Sequence, residues 1–500
     1  VEVILMKGRP LQLGNREKIL ALLLWVAVFW PRATQAQCAG AATTPVDMAN
    51  CAQRNTPRGK PVVLDSGRPY TLAELIDLAE EHNPRTRIVW EVAKQKAHEV
   101  GVAKSAYYPQ LAGLAVAGDE RTVSPFPKPL APRGYTMVEV PLVQPEATLQ
   151  YLIFDFGKRG GTVAAAKEEK LAAGADFIQA NQELAFGVAS AYYKLLTAQE
   201  KLQATTDTLH TAQTTQDAAE AQLSFGRSTL PDVLNAKAET AQALFDMESA
   251  DGAEKIARVE LTEIIGAEPS PDIAIDAQKS APLPEDLTLS IEALIDRAMS
   301  DRPDLMAQAA RIREAEAGIR VAKAEYKPKI ALSASGAQTS VWPTTDFGQL
   351  GPASEPTWSV ALGVQWTIFD GGARKNELRI AESKKRAAED ELVDVHDQIT
   401  RQVWTSYIAF RTSLRKEQAA VALLESANTS YSASLDAYQY GVKNLIDVVT
   451  AEKQLALARL SSVSARSELF LNAVSLEFVT GNLLRNKPLA TTTELPGGHQ

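Results

Sequence analysis

The sequence predicts a mixed α/β membrane protein built from two copies of one unit, each a pair of strands with alternating faces followed by a hairpin of very long helices. Three observations predict it. First, Thr71–Ala115 aligns with Ser290–Ala334 at a constant offset of 219, pairing Leu75-Ile76-Asp77 with Leu294-Ile295-Asp296, Pro84 with Pro303 and Tyr107 with Tyr326. After a four-residue length difference the offset becomes 215 and pairs Asp155 with Asp370, Gly226 with Gly441, Asp232 with Asp447 and Gly266 with Gly481, the signature of a tandem structural unit. Second, apolar runs of period 2 end at Phe154-Asp155-Phe156-Gly157 and at Phe369-Asp370-Gly371-Gly372, and proline-free stretches follow, so each turn delivers a strand into a helix. Third, Leu184, Val188, Ala191, Leu195, Ala198, Leu202, Thr205, Leu209, Ala212, Gln216, Ala219 and Leu223 recur with 4,3 spacing, the seam of a closely packed coiled coil.

Duplication overrides the length prior that 500 residues would otherwise set. The formal charge of −9 offers no positive field, so binding to a phosphate backbone is disfavoured and no nucleic-acid partner is expected. Lys7, Arg9, Arg16 and Lys18 precede the short apolar run Ile19–Trp30 and then small residues, which reads as a secretory signal peptide over 1–36. Cys38 and Cys51 then stand in an exported chain, where a small disulfide loop is one option and lipidation of Cys38 a less favoured one because Gln37 precedes it. The remaining boundaries are an irregular leader at 37–69, a first repeat at 70–266, a linker at 267–288, a second repeat at 289–481 and a tail at 482–500.

Taken in order, Thr71 with Glu74 has capping-box spacing, and Leu72, Leu75, Ile76 and Ala79 supply one apolar helix face until Pro84 interrupts it. A second helix runs towards Ala106, and Tyr107-Tyr108-Pro109 opens the first strand. The proline-rich stretch 118–146 is expected to be a loop between strands, with the second strand running over Ala147–Phe154. In the second unit Val360, Leu362, Val364, Trp366 and Ile368 form one strand face and Ser359, Ala361, Gly363, Gln365 and Thr367 the other. Helix is expected from Lys158 to about Leu223, roughly 100 Å at 1.5 Å per residue. The heptad breaks at Phe225-Gly226-Arg227, and a return helix begins near Pro231-Asp232. Tyr440-Gly441-Val442-Lys443 is the equivalent reversal in the second unit.

An exported chain whose strands alternate lipid-compatible with small or polar positions points to an outer membrane. Four strands cannot enclose a barrel, and open edges do not occur in hydrocarbon. Three chains would supply twelve strands, an even number within the range of outer-membrane barrels.

With strands, long hairpins and duplication combined, the sequence resembles the TolC family of bacterial outer-membrane efflux proteins over about residues 70–481. The signs are Phe154-Asp155-Phe156-Gly157 and Phe369-Asp370-Gly371-Gly372 after strands, Tyr438-Gln439-Tyr440-Gly441 before a reversal, and Asp447-Val448 entering a return helix. The resemblance implies a trimeric twelve-stranded outer-membrane β-barrel, four strands per chain, continued by a long periplasmic α-helical coiled-coil barrel. It implies a gated exit duct of a tripartite efflux or type I secretion system. Its expected partners are two further copies in a homotrimer, outer-membrane lipid, a periplasmic membrane-fusion adaptor and an inner-membrane RND, ABC or MFS transporter. Gly226, Arg227, Gly441 and Val442 are then adaptor-docking tips. Asp447 would form a ring at the pore gate, with Tyr438 and Lys443 holding the closed state against the neighbouring first-repeat hairpin, where Asp232 is the matching partner. Phe154, Asp155, Gly157, Phe369, Asp370 and Gly372 mark the transition from barrel to tunnel. Thr450 departs from the family pattern, since a second acidic ring can occupy its position.

A charged gate has its own physical logic, because three carboxylates at a narrow axis repel anions and favour cations. The plainer alternative is that Asp447 merely caps the return helix, where negative charge near the N-terminus is favourable. Asp155-Phe156-Gly157 spells the kinase metal-binding triplet, but no glycine-rich loop or spaced catalytic residues accompany it. His82, His98, His210, His396 and His499 lack metal-ligand spacing. No enzyme activity and no cofactor are therefore expected. The competing reading is a noncatalytic periplasmic coiled-coil structural or adaptor protein.

Overall fold

Thr71 and Glu74 cap the first long element as the spacing predicts. In the computed structural model the Thr71 amide donates to the Glu74 carboxylate at 2.9 Å, and the Glu74 amide donates to Thr71 Oγ1 at 3.4 Å. The structure describes residues 64–65, 67–128, 130–276 and 290–481. The expected signal peptide, Cys38 and Cys51, nearly all of the 37–69 leader, the distal half of the 267–288 linker and the 482–500 tail lie outside the described residues.

After β1 (Pro69–Tyr70), helices α1 (Leu72–His82) and α2 (Pro84–Ser105) meet at Asn83. A residue before proline is pushed out of the helical region, and Pro84 then suits the first position of the next helix. Asn83 also donates from Nδ2 to the Ile264 carbonyl at 2.8 Å, tying this elbow to the far end of the first hairpin. Strands β2 (Gln110–Pro125) and β3 (Tyr135–Phe154) follow, then α3 (Lys158–Ser224) and α4 (Leu230–Ile265). The linker contributes β4 (Ala274–Ile275), which pairs in parallel with β1. The second repeat supplies α5 (Ile291–Asp301), α6 (Pro303–Ala324), β5 (Lys329–Val341), the short β6 (Thr344–Thr345) and β7 (Gly348–Gln349), β8 (Ala353–Gln365), α7 (Ala373–Gln439) and α8 (Leu445–Val479).

The strands corrected two expectations. The proline-rich 118–146 stretch is mostly strand: β2 continues to Pro125, β3 begins at Tyr135, and the two pair antiparallel along all of β2. Proline lacks a ladder donor, so the sheet works around it. The Pro141 carbonyl accepts from Trp342 N at 3.0 Å, and the β3–β5 register passes over Gln144 and Pro145. In the second repeat the ladder stops at Gln365, so Trp366 and Ile368 lie beyond β8 although they continue its alternation. Trp366 Nε1 donates instead to the Tyr326 carbonyl at 3.2 Å.

The main strands run β2–β3–β5–β8, antiparallel throughout, and β3–β5 joins the two repeats. Adjacent register rows differ in kind. Leu111, Leu149, Ala334 and Val360 lie side by side in one row, and Ala112, Thr148, Ser335 and Ser359 in the next. Side chains in successive rows point to opposite faces, so around these rows one face is apolar and the other small and polar, although Leu114, Val116 and Leu152 also lie on the second face. Across the polar face Ser335 and Ser359 hydroxyls meet at 3.0 Å. Both faces of β8 are exposed, including Trp358, Val360, Leu362 and Val364 on the apolar side.

The helices make a layer in which α3 is central. It packs against α4 and α8 in one half and α2 and α6 in the other, while α7 packs against α8, α6 and α5. Every expected seam position of α3 is buried or half-buried, with Val188, Leu195 and Ala219 fully so. On α7 the buried set Ile399, Val403, Phe410, Ser413, Ala420, Ala427, Tyr431, Ser434 and Tyr438 forms a narrow stripe at the same kind of spacing. Among the described residues no helix is long and apolar enough to cross a membrane.

Candidate functional site

Two kinds of turn hold the expected functional residues: the strand-to-helix turns at one end of the long helices and the reversals at the other. At the first strand-to-helix turn the chain leaves β3 and enters α3 within three residues. Phe156 and Gly157 both take left-handed conformations, with φ of 51° and 93°; the equivalents Gly371 and Gly372 have φ of 65° and 92°. An L side chain is disfavoured there, which explains the glycines and makes Phe156 a strained residue. Asp155 Oδ1 accepts from the Gly157 amide at 3.2 Å, and Oδ2 accepts from the Arg159 amide at 2.8 Å and from Arg159 Nε at 3.0 Å. Arg159 then donates to the Leu152, Ile153 and Ala106 carbonyls and lies 5.0 Å over the Tyr107 ring. One buried guanidinium thus joins the ends of β3 and α2 to the start of α3.

The second turn repeats the device. Asp370 accepts from the Gly372 and Arg374 amides at 3.0 and 3.1 Å and from Arg374 Nε at 2.5 Å, and Arg374 lies 5.3 Å over Tyr326. The hydrogen bond from Arg374, with the two amides, holds the Asp370 carboxyl below the usual carboxylate range. Sequence reasoning found both aspartates but missed both arginines. The signal was present, since Arg159 and Arg374 are themselves related by the 215 offset.

At the opposite ends, Gly226 and Gly441 take φ of 73° and 76° and reverse the chain. The first tip continues through Arg227 and Ser228 to Thr229, which caps α4 in a reciprocal box with Asp232. The Asp232 carboxylate accepts from Thr229 Oγ1 at 2.7 Å, the Thr229 amide at 3.0 Å and Ser228 Oγ at 3.2 Å, bonds that hold it below the usual carboxylate range. At the second tip Asn444, not Asp447, caps α8: its Oδ1 accepts from the Asp447 amide at 3.0 Å. Asp447 occupies the first turn with its side chain exposed.

The structure brings some of the expected gate residues together and separates others. Tyr438 Oη donates to Ser228 Oγ at 3.5 Å, and through it reaches Asp232, so these three form one chain of contacts between the two hairpins. Lys443 does not join them within one chain; its Nζ donates to Ser434 Oγ at 3.3 Å on its own hairpin. Gln222, which carried no sequence signal, donates from Nε2 to the Gln439 carbonyl at 2.9 Å and ties the tips a second time. Phe225, Tyr440 and Val442 are strongly exposed beside the glycines.

Comparison with known proteins places this geometry. Residues 75–267 and 294–482 match the profile of a family described as outer membrane efflux protein. Protein CyaE of Bordetella pertussis is 25% identical over 476 residues, covering 95% of this chain and 97% of CyaE. The solvent efflux pump outer membrane protein SrpC of Pseudomonas putida is 24% identical over 411 residues, covering 81% and 83%. The crystal structure of the open state of the Neisseria gonorrhoeae MtrE outer membrane channel superposes with a TM-score of 0.68 at 22% identity, covering 82% of this chain and 89% of that one.

Proposed function

Because the chain belongs to the outer membrane efflux protein family, we propose that it is the outer-membrane channel of a tripartite export system, a passive duct whose far end is opened by an adaptor. The observation that carries this reading is the four-stranded sheet with one apolar face, one polar face and exposure on both. A soluble sheet would bury its apolar face; a barrel wall instead turns that face to lipid and the polar one to water. Among the described residues neither β2 nor β8 has a second strand partner. Pairing β8 of each copy with β2 of the next closes twelve strands from three copies and leaves no edge in hydrocarbon. The same rotation sets α7 of one copy beside α2 and α4 of its neighbour and closes the helical layer into a tunnel. A soluble coiled-coil adaptor has no use for the exposed Trp358–Val364 row. Single-particle imaging of the detergent-solubilised protein is expected to show a hollow threefold particle, and a monomeric solid particle would overturn the proposal.

The reversals are the periplasmic end of this duct. Three copies of Asp447, exposed on the first turn of α8, form the acidic ring, while Tyr438, Ser228 and Asp232 hold each second-repeat hairpin against the first. Lys443 is left to act between copies. Asp447→Ala is expected to reduce cation preference in planar-bilayer conductance while the trimer persists; unchanged selectivity would remove Asp447 from the gate. An adaptor of the periplasmic membrane-fusion type docks on Gly226, Arg227, Gly441 and Val442, and an inner-membrane transporter supplies the energy. Gly226→Val and Gly441→Val are expected to weaken adaptor crosslinking, since each forces a left-handed residue to be β-branched.

A further inference from the structure

Behind the second-repeat tip lies a buried polar cluster that the gate residues do not include. Glu452 of α8, Thr215 of α3 and Tyr431 of α7 meet there with exposures of 6%, 1% and 9%. Thr215 Oγ1 lies 2.6 Å from Glu452 Oε2 and 3.2 Å from Tyr431 Oη, and Tyr431 Oη donates to the Thr211 carbonyl at 3.4 Å. Tyr431 stands one heptad before Tyr438, so the two tyrosines reach the first-repeat hairpin from the same stripe of α7. The cluster is about 10 Å from the tip, since Glu452 is seven residues into α8.

We propose that Glu452, Thr215 and Tyr431 form a protonation-sensitive latch that positions the α7–α8 hairpin against α3, a second point of control behind the tip. The proposal deepens, and rests on, the reading of these hairpins as a gate. Its basis is the kind of partner Glu452 has. Among the described residues the carboxyl makes no ion pair, although cations stand close. Arg459 of α8 donates instead to Thr211 Oγ1 at 3.1 Å and Thr208 Oγ1 at 3.5 Å, and Lys453 of α8 pairs with Glu239 of α4 at 2.7 Å. A buried carboxyl whose partner is a hydroxyl is held more cheaply neutral than ionised. The Thr215 hydroxyl donates to Glu452 Oε2, and Thr215 Oγ1 also lies 3.2 Å from the Thr211 carbonyl, so no cation offsets the cost of a buried charge.

Burial raises the Glu452 carboxyl above its ordinary range; the Thr215 hydrogen bond opposes this, Glu239 adds to it, and Lys453 and Arg459 oppose it. The sign follows directly. A carboxyl with a raised value in the packed state binds its proton more tightly there, so the packed arrangement is most stable at low pH and weakens as pH rises through the raised value.

The test is hydrogen–deuterium exchange of the detergent-solubilised assembly, read at the Tyr440–Leu445 turn and the first turns of α8 and corrected for intrinsic rates. As pH rises from about 4 to about 8, wild-type protection is expected to fall severalfold. Glu452→Gln is expected to keep its protection across that range, and Tyr431→Phe to lower protection while leaving the pH dependence in place. A pH dependence that survives in Glu452→Gln, or is absent from wild type, overturns the latch. Should Glu452→Gln fail to assemble, Thr215→Ala serves: losing the hydroxyl that opposes the shift is expected to move the midpoint to higher pH, and an unmoved midpoint overturns the proposal. Exchange does not depend on conduction, so a protein with this pH profile and no conductance would reject the channel and leave the latch standing.

Discussion

Arg159 is the side chain on which the strand-to-helix turn depends most. Its fork satisfies Asp155 and three carbonyls that would otherwise end in the air where β3, α2 and α3 meet. Removing it leaves a carboxylate that is only 5% exposed without its cation, and breaking such a pair typically costs about 3 kcal/mol. Arg159→Gln is therefore expected to lower the thermal midpoint clearly, and Arg159→Lys to rescue little, because an ammonium cannot reproduce the planar fork. The second copy is expected to respond to acid. Asp370 is held below the usual range, so its contribution is complete at neutral pH and lost as pH falls through the lowered value. Loss of amide protection at Gly372 and Arg374 as pH falls, corrected for intrinsic rates and absent as a pH effect in Asp370→Asn, is the check. Asp155, Gly157, Asp370 and Gly372 were legible because each stands in a duplicated motif where strand becomes helix. Arg159 and Arg374 were duplicated too, but a cation at the start of a helix resembles a surface residue until the carbonyls around it are seen.

At the scale of elements, the 67-residue helices α3 and α7 are equal in length and different in surroundings. The heptad read from Leu184 to Leu223 is present, yet α3 also buries Ala185, Ala189, Tyr192 and Leu196, which lie off that seam. A single seam describes a helix with one neighbour, whereas α3 has several. Small residues let them approach. Ala219 is fully buried in a cluster with Val233, Tyr438, Val448 and Leu455, where both hairpins contribute. Ala219→Phe overfills this site and is expected to cost about 1–3 kcal/mol, with the loss concentrated in protease resistance of the second-repeat tip. Helix boundaries were legible to within a residue or two because glycine, proline and capping residues mark them. Strand boundaries were not, because proline in β2 and β3 reads as loop when the tolerance of the neighbouring ladder is out of sight.

At the scale of the molecule, the sheet and the helical layer both end in open edges within one chain, and the proposed threefold assembly would close each by the same rotation. The lipid-facing row tests the barrel. Leu362→Arg places a charge at mid-sheet and is expected to cost about 2–4 kcal/mol, read as loss of heat-resistant trimers from the outer-membrane fraction; normal recovery would argue that this row faces water. In the proposed trimer, the open strands β2 and β8 bear on biogenesis as well. A newly exported chain carries two adhesive edges, each able to pair with any extended peptide it meets. Correct closure is a three-body event whose rate falls steeply as the chain becomes scarce, while mispairing needs only one encounter. The yield of channels is thus set by a race, and slow delivery of chains or a chaperone that covers β2 and β8 would decide it.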